Sequence, residues 1–136
     1  MKFIIIGLGG FGRELAIKLT DLGHEIIGVD TNEKWVDDMK EKISGAFILD
    51  ATDDKALDVL PLNDVDNIVV AVGNEFGTSI KIVSLLKNRK LKTKIYARSY
   101  DDIHTSVLSA LGIENILRPE IEAARLYADQ LTCSNK

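Results

Sequence analysis

Gly7, Gly9 and Gly12 stand in the spacing G-x-G-x-x-G, and an acidic residue, Asp30, follows at the end of the next apolar run. Each of these positions can serve one kind of chemistry. A glycine at Gly7 permits a tight turn, one at Gly9 lets the backbone approach a pyrophosphate, and one at Gly12 lets a helix pack close to a strand. The free N–H groups and the positive dipole end of that helix would then face phosphate oxygens. A carboxylate about 20 residues on can accept hydrogen bonds from a ribose diol. Other polar groups fall at similar places. Arg13 directly follows Gly12, and its guanidinium suits a phosphate or a partner's carboxylate, or else a solvated helix surface. Asp50 and Asp53 fit helix capping and the adenine end of a ligand equally well. Gly73 and Asn74 follow a fully apolar run, where Gly73 leaves room for a ligand and Asn74 can donate and accept. Arg98 ends another such run and points toward the crevice, toward a neighbouring subunit, or to an ion pair with Asp101 or Asp102.

Residues so spaced need a scaffold that brings strand ends together, and the chain has its pattern. Short apolar runs alternate with amphipathic ones throughout, as in a parallel α/β sheet. Lys2-Phe3-Ile4-Ile5-Ile6 precedes the glycines, and Phe11, Leu15, Leu19 and Leu22 mark one helical face after them. The second strand is Glu25-Ile26-Ile27-Gly28-Val29-Asp30. A second helix is expected over about 33–43, with Val36, Met39 and Ile43 inward and Trp35, adjacent to that face, as partial core or edge packing rather than a stacking platform. The third strand is 46–49, and Thr52 or Asp53 caps a short helix that runs to Leu60 and stops at Pro61. The fourth strand, 67–72, is apolar throughout and so buried on both faces. The helix over 77–88 has an apolar arc wider than one sheet face requires, which fits deep burial or a subunit contact. The fifth strand is 94–98, a helix spans about 102–111, the sixth strand is 114–117, and a final helix covers 121–131. Ile121, Ala124, Ala128 and Leu131 form its apolar stripe. His24 and His104 are both expected at the surface. The fold class expected is therefore a doubly wound Rossmann α/β fold with a six-stranded parallel sheet and helices on both faces.

The 136 residues suit one domain over 1–136, with the final helix from about 120, and 46% are hydrophobic, enough for a sizeable core. The formal net charge of −4 argues against a nucleic-acid surface, which carries a basic stripe. One cysteine, Cys133, precludes a disulfide within the chain and fits a reducing compartment. No apolar run approaches the roughly 20 residues of a membrane span, and there is no signal-peptide pattern. The expected location is cytoplasmic, without direct membrane insertion.

The chain resembles the N-terminal domain of RCK proteins, the regulators of potassium conductance, also called the TrkA-type NAD-binding domain. The resemblance covers nearly all of it. It rests on the run from Ile4 to Arg13, on Val29-Asp30, Asp50-Ala51-Thr52, Val70-Ala71-Val72-Gly73 and Ala97-Arg98, and on the run from Gly112 to Glu120. Asp50-Ala51-Thr52 and Pro119-Glu120 are the parts most particular to the family. Where members typically have Gly before Asp-Ala-Thr, this chain has Leu49.

The resemblance implies a regulatory subunit that binds NAD(H), or ATP, ADP or AMP, and changes shape. It implies a homo-oligomer, a dimer or a ring, beneath a membrane potassium channel or transporter subunit, and so a position at the inner face of the membrane through that partner. Many members continue into a smaller C-terminal ligand-binding domain, which is expected to be absent from these residues. The residues expected to contact the nucleotide are Gly7, Gly9, Gly10, Phe11, Gly12, Arg13, Asp30, Thr31, Asp50, Ala51, Thr52, Ala71, Val72, Gly73, Asn74 and Arg98. Neither catalytic residues nor metal ligands are expected. A dehydrogenase needs a proton-transfer group beside the hydride, and none of Tyr96, Tyr100 and Tyr127 begins a Tyr-x-x-x-Lys pair. An NAD-dependent oxidoreductase, or its cofactor-binding subunit, is the alternative reading.

Overall fold

Side chains alternate along a strand, so the isoleucines of Lys2–Ile6 (β1) split between two faces and need cover on both. Ile4 and Ile6 enter one apolar core and Ile5 the other, and all three are buried. The rest of the chain supplies that cover. The computed structural model describes residues 1–73 and 75–133. β1 is followed by α1 (Gly10–Asp21), β2 (Glu25–Asp30), α2 (Glu33–Met39), β3 (Gly45–Ile48) and α3 (Asp54–Leu57). The second half runs β4 (Asn67–Val70), α4 (Phe76–Asn88), β5 (Lys94–Arg98), α5 (Asp102–Ala110), β6 (Asn115–Leu117) and α6 (Pro119–Cys133).

The strands form one six-stranded sheet in the order β3-β2-β1-β4-β5-β6, and every pairing is parallel. Chain direction across the sheet therefore reverses between β1 and β4, which is the switch point where a doubly wound fold opens its crevice. One core joins Ile5, Ile26 and Val69 to Ala16 of α1 and to Val36 and Met39 of α2. The other joins Ile4, Ile6, Ile68 and Val70 to Leu57, to Ile82, Val83 and Leu86 of α4, and to Leu108 of α5. Helices thus cover both faces, as the alternating pattern predicts.

Several ends differ from the sequence expectation for local reasons. α2 stops at Met39 rather than near Ile43, because the amides of Lys40 and Lys42 bond three residues back and tighten the chain toward β3. Ile43 is buried all the same. α3 ends at Leu57 rather than Leu60, and Asp58, Val59 and Leu60 continue as three-residue turns. β4 ends at Val70, although the Ala71 N–H still reaches the Ile6 carbonyl at 2.7 Å.

Two expectations about packing are corrected. His104 is buried, at 2% exposure, because α5 turns that face against α4. His24 is half-buried, with its ring edge-on to Phe3 and Nδ1 2.9 Å from the terminal amine of Met1. The stripe expected on α6 stays largely exposed: Ile121 is half-buried, Ala124, Ala128 and Leu131 are exposed, and no residue of α6 is buried. The broad arc of α4 is accounted for internally. Ile82, Val83 and Leu86 are buried, and Ile80 and Leu85 pack against the same core.

Candidate functional site

At the C-terminal ends of β1, β2, β3 and β4 lies a crevice of roughly 290 Å³. Ile6, Gly7, Asp30, Thr31, Asp50, Ala51, Thr52, Val72 and Gly73 line it, with Trp35, Glu75 and Thr78 at its edges. The strand order alone places it there, since β1 and β4 diverge above their last paired residues, Ile6 and Val70.

The glycine loop is built by close contact. Gly7 has φ of 106°, and a Cβ there would lie 2.7 Å from backbone atoms of Ala71 and Val72. A Cβ on Gly12 would run into the Gly7 carbonyl. These two glycines let α1 start directly above β1 and beside the loop after β4. No side chain caps α1, whose N-cap is Gly9, and the Arg13 N–H is the first to bond back, to the Gly9 carbonyl at 2.9 Å. The preceding amides of α1 remain available for an anion, and the dipole favours one.

Asp30 is fixed by two backbone donors. Its Oδ2 accepts the Leu8 N–H at 2.7 Å, and its Oδ1 accepts the Asn32 N–H at 2.8 Å. Each carboxylate oxygen keeps a second acceptor position, enough for two ribose hydroxyls. Asp50 holds the loop after β3: its Oδ1 accepts the Thr52 N–H at 2.9 Å and the Thr52 hydroxyl at 2.6 Å. The hydroxyl bond first, then the amide bond, hold its carboxyl below the usual carboxylate range, with Lys81 adding a smaller favourable charge. Asp53, not Thr52, caps α3, accepting the Lys55 N–H at 3.0 Å. Asp50 and Asp53 therefore do different things: one shapes the crevice wall and the other starts a helix.

Arg98 lies away from the crevice lining. Its guanidinium pairs with Glu120 at the start of α6, rather than with Asp101 or Asp102. It also stands 5.1 Å from the Phe11 ring centroid and 4.3 Å from that of Tyr100. Asp102 pairs instead with Arg118. Arg13 has a buried Nε with no hydrogen-bond partner. Gly10 has open space around it. Asn74 lies outside the described residues.

Behind the loop after β4 sits a cluster that the sequence did not announce. The Tyr100 hydroxyl donates to the Val72 carbonyl at 3.2 Å, and the Tyr100 ring stacks on His104. Burial pushes the Tyr100 hydroxyl above its ordinary pKa, against the nearby Arg98 charge. His104 Nδ1 accepts the Tyr100 N–H at 3.2 Å, and Nε2 meets the Ser79 hydroxyl at 2.9 Å. With Nδ1 accepting, the neutral ring carries its proton on Nε2 and donates to Ser79. A serine beside a histidine suggests nucleophilic catalysis, but this imidazole offers the serine a proton instead of taking one. Both residues are also closed off, at 1% and 2% exposure. Among the described residues, the crevice is lined by no His, Lys, Tyr or Cys, and no group of three or more His, Cys, Asp and Glu could hold a metal ion.

The chain is similar to known proteins in sequence and in fold. The Ktr system potassium uptake protein C of Bacillus subtilis is 33% identical over 134 residues, which are 98% of this chain and 60% of that protein. This chain therefore spans about three-fifths of the length of that relative. The Shewanella denitrificans Kef CTD in AMP-bound form superposes with a TM-score of 0.82 at 24% identity, over 100% of this chain and 83% of that one. The GsuK channel bound to NAD superposes with a TM-score of 0.72 at 18% identity, over 85% of this chain and 21% of that one. At those identities the two structures speak for the fold. The TrkA-N domain matches residues 3–119, so glycine loop, acidic strand end and late Pro119 all fall within one family pattern, and the chain belongs to the TrkA-N domain family.

Proposed function

We propose that this chain is the nucleotide-binding regulatory part of a potassium transport system, which binds NAD(H) or an adenine nucleotide (ATP, ADP or AMP) and responds by conformational change. The observation that carries this reading is the convergence on one crevice of Gly7, the Asp30 carboxylate and the Asp50–Thr52 loop, with the uncapped start of α1 following Gly7 in the chain. That set offers donors to a phosphate and acceptors to a ribose, and among the described residues the lining includes no His, Lys, Tyr or Cys to move a proton beside a hydride. The potassium-uptake relative and the NAD- and AMP-bound neighbours support the same direction.

The working unit is a homo-oligomer, dimer or ring, seated at the cytoplasmic face of a membrane potassium channel or transporter subunit. No described helix is long and apolar enough to cross a membrane. α6 is the surface offered to a neighbour: none of its residues is buried, and Leu126 and Tyr127 stand 55% and 58% exposed. The route from crevice to α6 is short. Val72 accepts from Tyr100, Tyr100 and Phe11 flank Arg98, and Arg98 pairs with Glu120. A nucleotide biases this route only by its differential affinity for two arrangements, and a hundredfold difference shifts the equilibrium by about 2.7 kcal/mol.

Light scattering and amide hydrogen exchange with and without nucleotide test this reading. Oligomers whose exchange at α6 changes when AMP, ATP or NADH is added are expected. A strict monomer at high concentration, with no exchange change outside the crevice, would remove the regulatory reading. Substrate-dependent loss of NADH absorbance, abolished by a crevice substitution, would replace it with an oxidoreductase.

A further inference from the structure

The crevice has one large aromatic wall, Trp35, and the chain has no other tryptophan. Its backbone is fixed by the start of α2: Asn32 Oδ1 accepts the Trp35 N–H at 3.1 Å, and Asn32 in turn donates its own N–H to Asp30. Its ring reaches back to the glycine loop. A Cβ on Gly9 would lie 3.6 Å from Trp35 Cζ3 and 3.7 Å from Cη2, ordinary contact distances. The far edge of the indole therefore rests on Gly9, while the ring borders the same crevice as Asp30 and Thr31. Trp35 is 37% exposed, so a large apolar surface stands open to water where the phosphate loop and the ribose-facing carboxylate meet.

We propose that Trp35 is a ligand-contact residue that sets the ribose class of the nucleotide: it packs against a ribose with a free 2′,3′-diol and fills the space that a 2′-phosphate would take. The inference rests on the adenine-nucleotide reading above and adds a determinant to it. Asp30 disfavours a 2′-phosphate by charge; the Thr31, Asn32 and Glu33 that follow bring no cation to relieve it, and Lys34 is the first that could. Trp35 acts by shape, because the ground between α2 and Gly9 is already occupied. The two effects are separable. Neutralising Asp30 leaves the wall standing, and removing the wall leaves the charge.

The test is calorimetric titration of the full chain with NADH, NADPH and AMP, for the wild type, Trp35→Ala and Trp35→Phe. Trp35→Ala is expected to weaken NADH and AMP by about threefold or more, as apolar contact is lost, and to narrow the NADH-to-NADPH gap by a similar factor. Trp35→Phe should retain most of the NADH affinity. A second readout needs no substitution: AMP should change the emission of the single tryptophan in the wild type, because it binds against the ring. Wild-type binding of AMP with unaltered emission, together with an NADH-to-NADPH gap in Trp35→Ala as wide as in the wild type, would overturn the proposal and leave the nucleotide reading intact. Absence of any nucleotide binding by the wild type would overturn both.

Discussion

Asp30 and Leu8 are joined by a 2.7 Å hydrogen bond, from the backbone amide of the glycine loop to the carboxylate at the end of β2. In the binding mode proposed above, the group that would face the ribose therefore also holds the loop that would face the phosphates. The two halves of the crevice are set by one side chain, and a ligand that engages either half meets a loop already in place.

Asp30→Ala should therefore have two effects. Loss of the charge-assisted bonds to Leu8 and Asn32 should lower stability by about 1–3 kcal/mol, read from denaturant unfolding. NADH and ATP should weaken together by about tenfold, while NADPH loses less, so the gap narrows. Unchanged NADH affinity with reduced stability would assign Asp30 to loop support alone.

Gly12 and Gly10 separate folding from binding. Gly12→Ala drives a Cβ into the Gly7 carbonyl and should cost more than about 2 kcal/mol, or prevent folding. Gly10→Ala meets nothing within 4 Å and should leave thermal stability unchanged or raised by up to about 1 kcal/mol. A folded Gly10→Ala variant with weakened nucleotide affinity is expected, because the new methyl borders the α1 amides. A destabilised Gly10→Ala variant would contradict the open space seen there.

Arg13, near the uncapped start of α1, carries a buried Nε without a hydrogen-bond partner among the described residues. A phosphate or a neighbouring subunit's carboxylate would satisfy it. Arg13→Ala should weaken ATP by about tenfold or lower the oligomeric state, read by titration and light scattering. If neither changes, the guanidinium is a surface group only.

His104 makes stability depend on pH. Burial lowers its pKa below the ordinary value, against the smaller opposing pull of Asp101. The other groups on it, Ser79, Tyr100 and Phe76, are uncharged. The unfolded chain therefore takes up the proton first. The contribution is fully present above about pH 6.5 and is lost as pH falls toward the lowered native value. Unfolding midpoints should drop between pH 7 and pH 5 in the wild type, and less steeply in His104→Gln, which cannot titrate there. Parallel profiles would mean that His104 is not the group responsible.

Much of this was legible in the residues. The order of strands and helices followed from the alternation of patterns, and Val36, Met39 and Ile43 are buried as their spacing predicts. Gly7, Asp30, Asp50 and Gly73 do meet at one crevice, because parallel strands deliver their C-terminal ends to the same edge. His104 was misread although a signal existed: His104, Leu108 and Leu111 recur at helical spacing, and the face they mark is the one α5 turns inward. Arg98 could not be assigned, because its partner Glu120 belongs to a helix whose position depends on the β6 turn. The contact of Trp35 with Gly9 depends on the angle at which α2 leaves β2, which no spacing rule encodes.

The central claim is that the crevice holds an adenine nucleotide by its phosphates and its unmodified ribose. Calorimetric titration of the wild type with NADH, NAD, ATP, ADP and AMP, with NADPH as the contrast, tests it most directly. The account predicts saturable binding of at least one nucleotide with a free 2′,3′-diol, and NADPH at least about tenfold weaker than NADH. Equal affinity for NADH and NADPH, or no saturable binding at all, would contradict it.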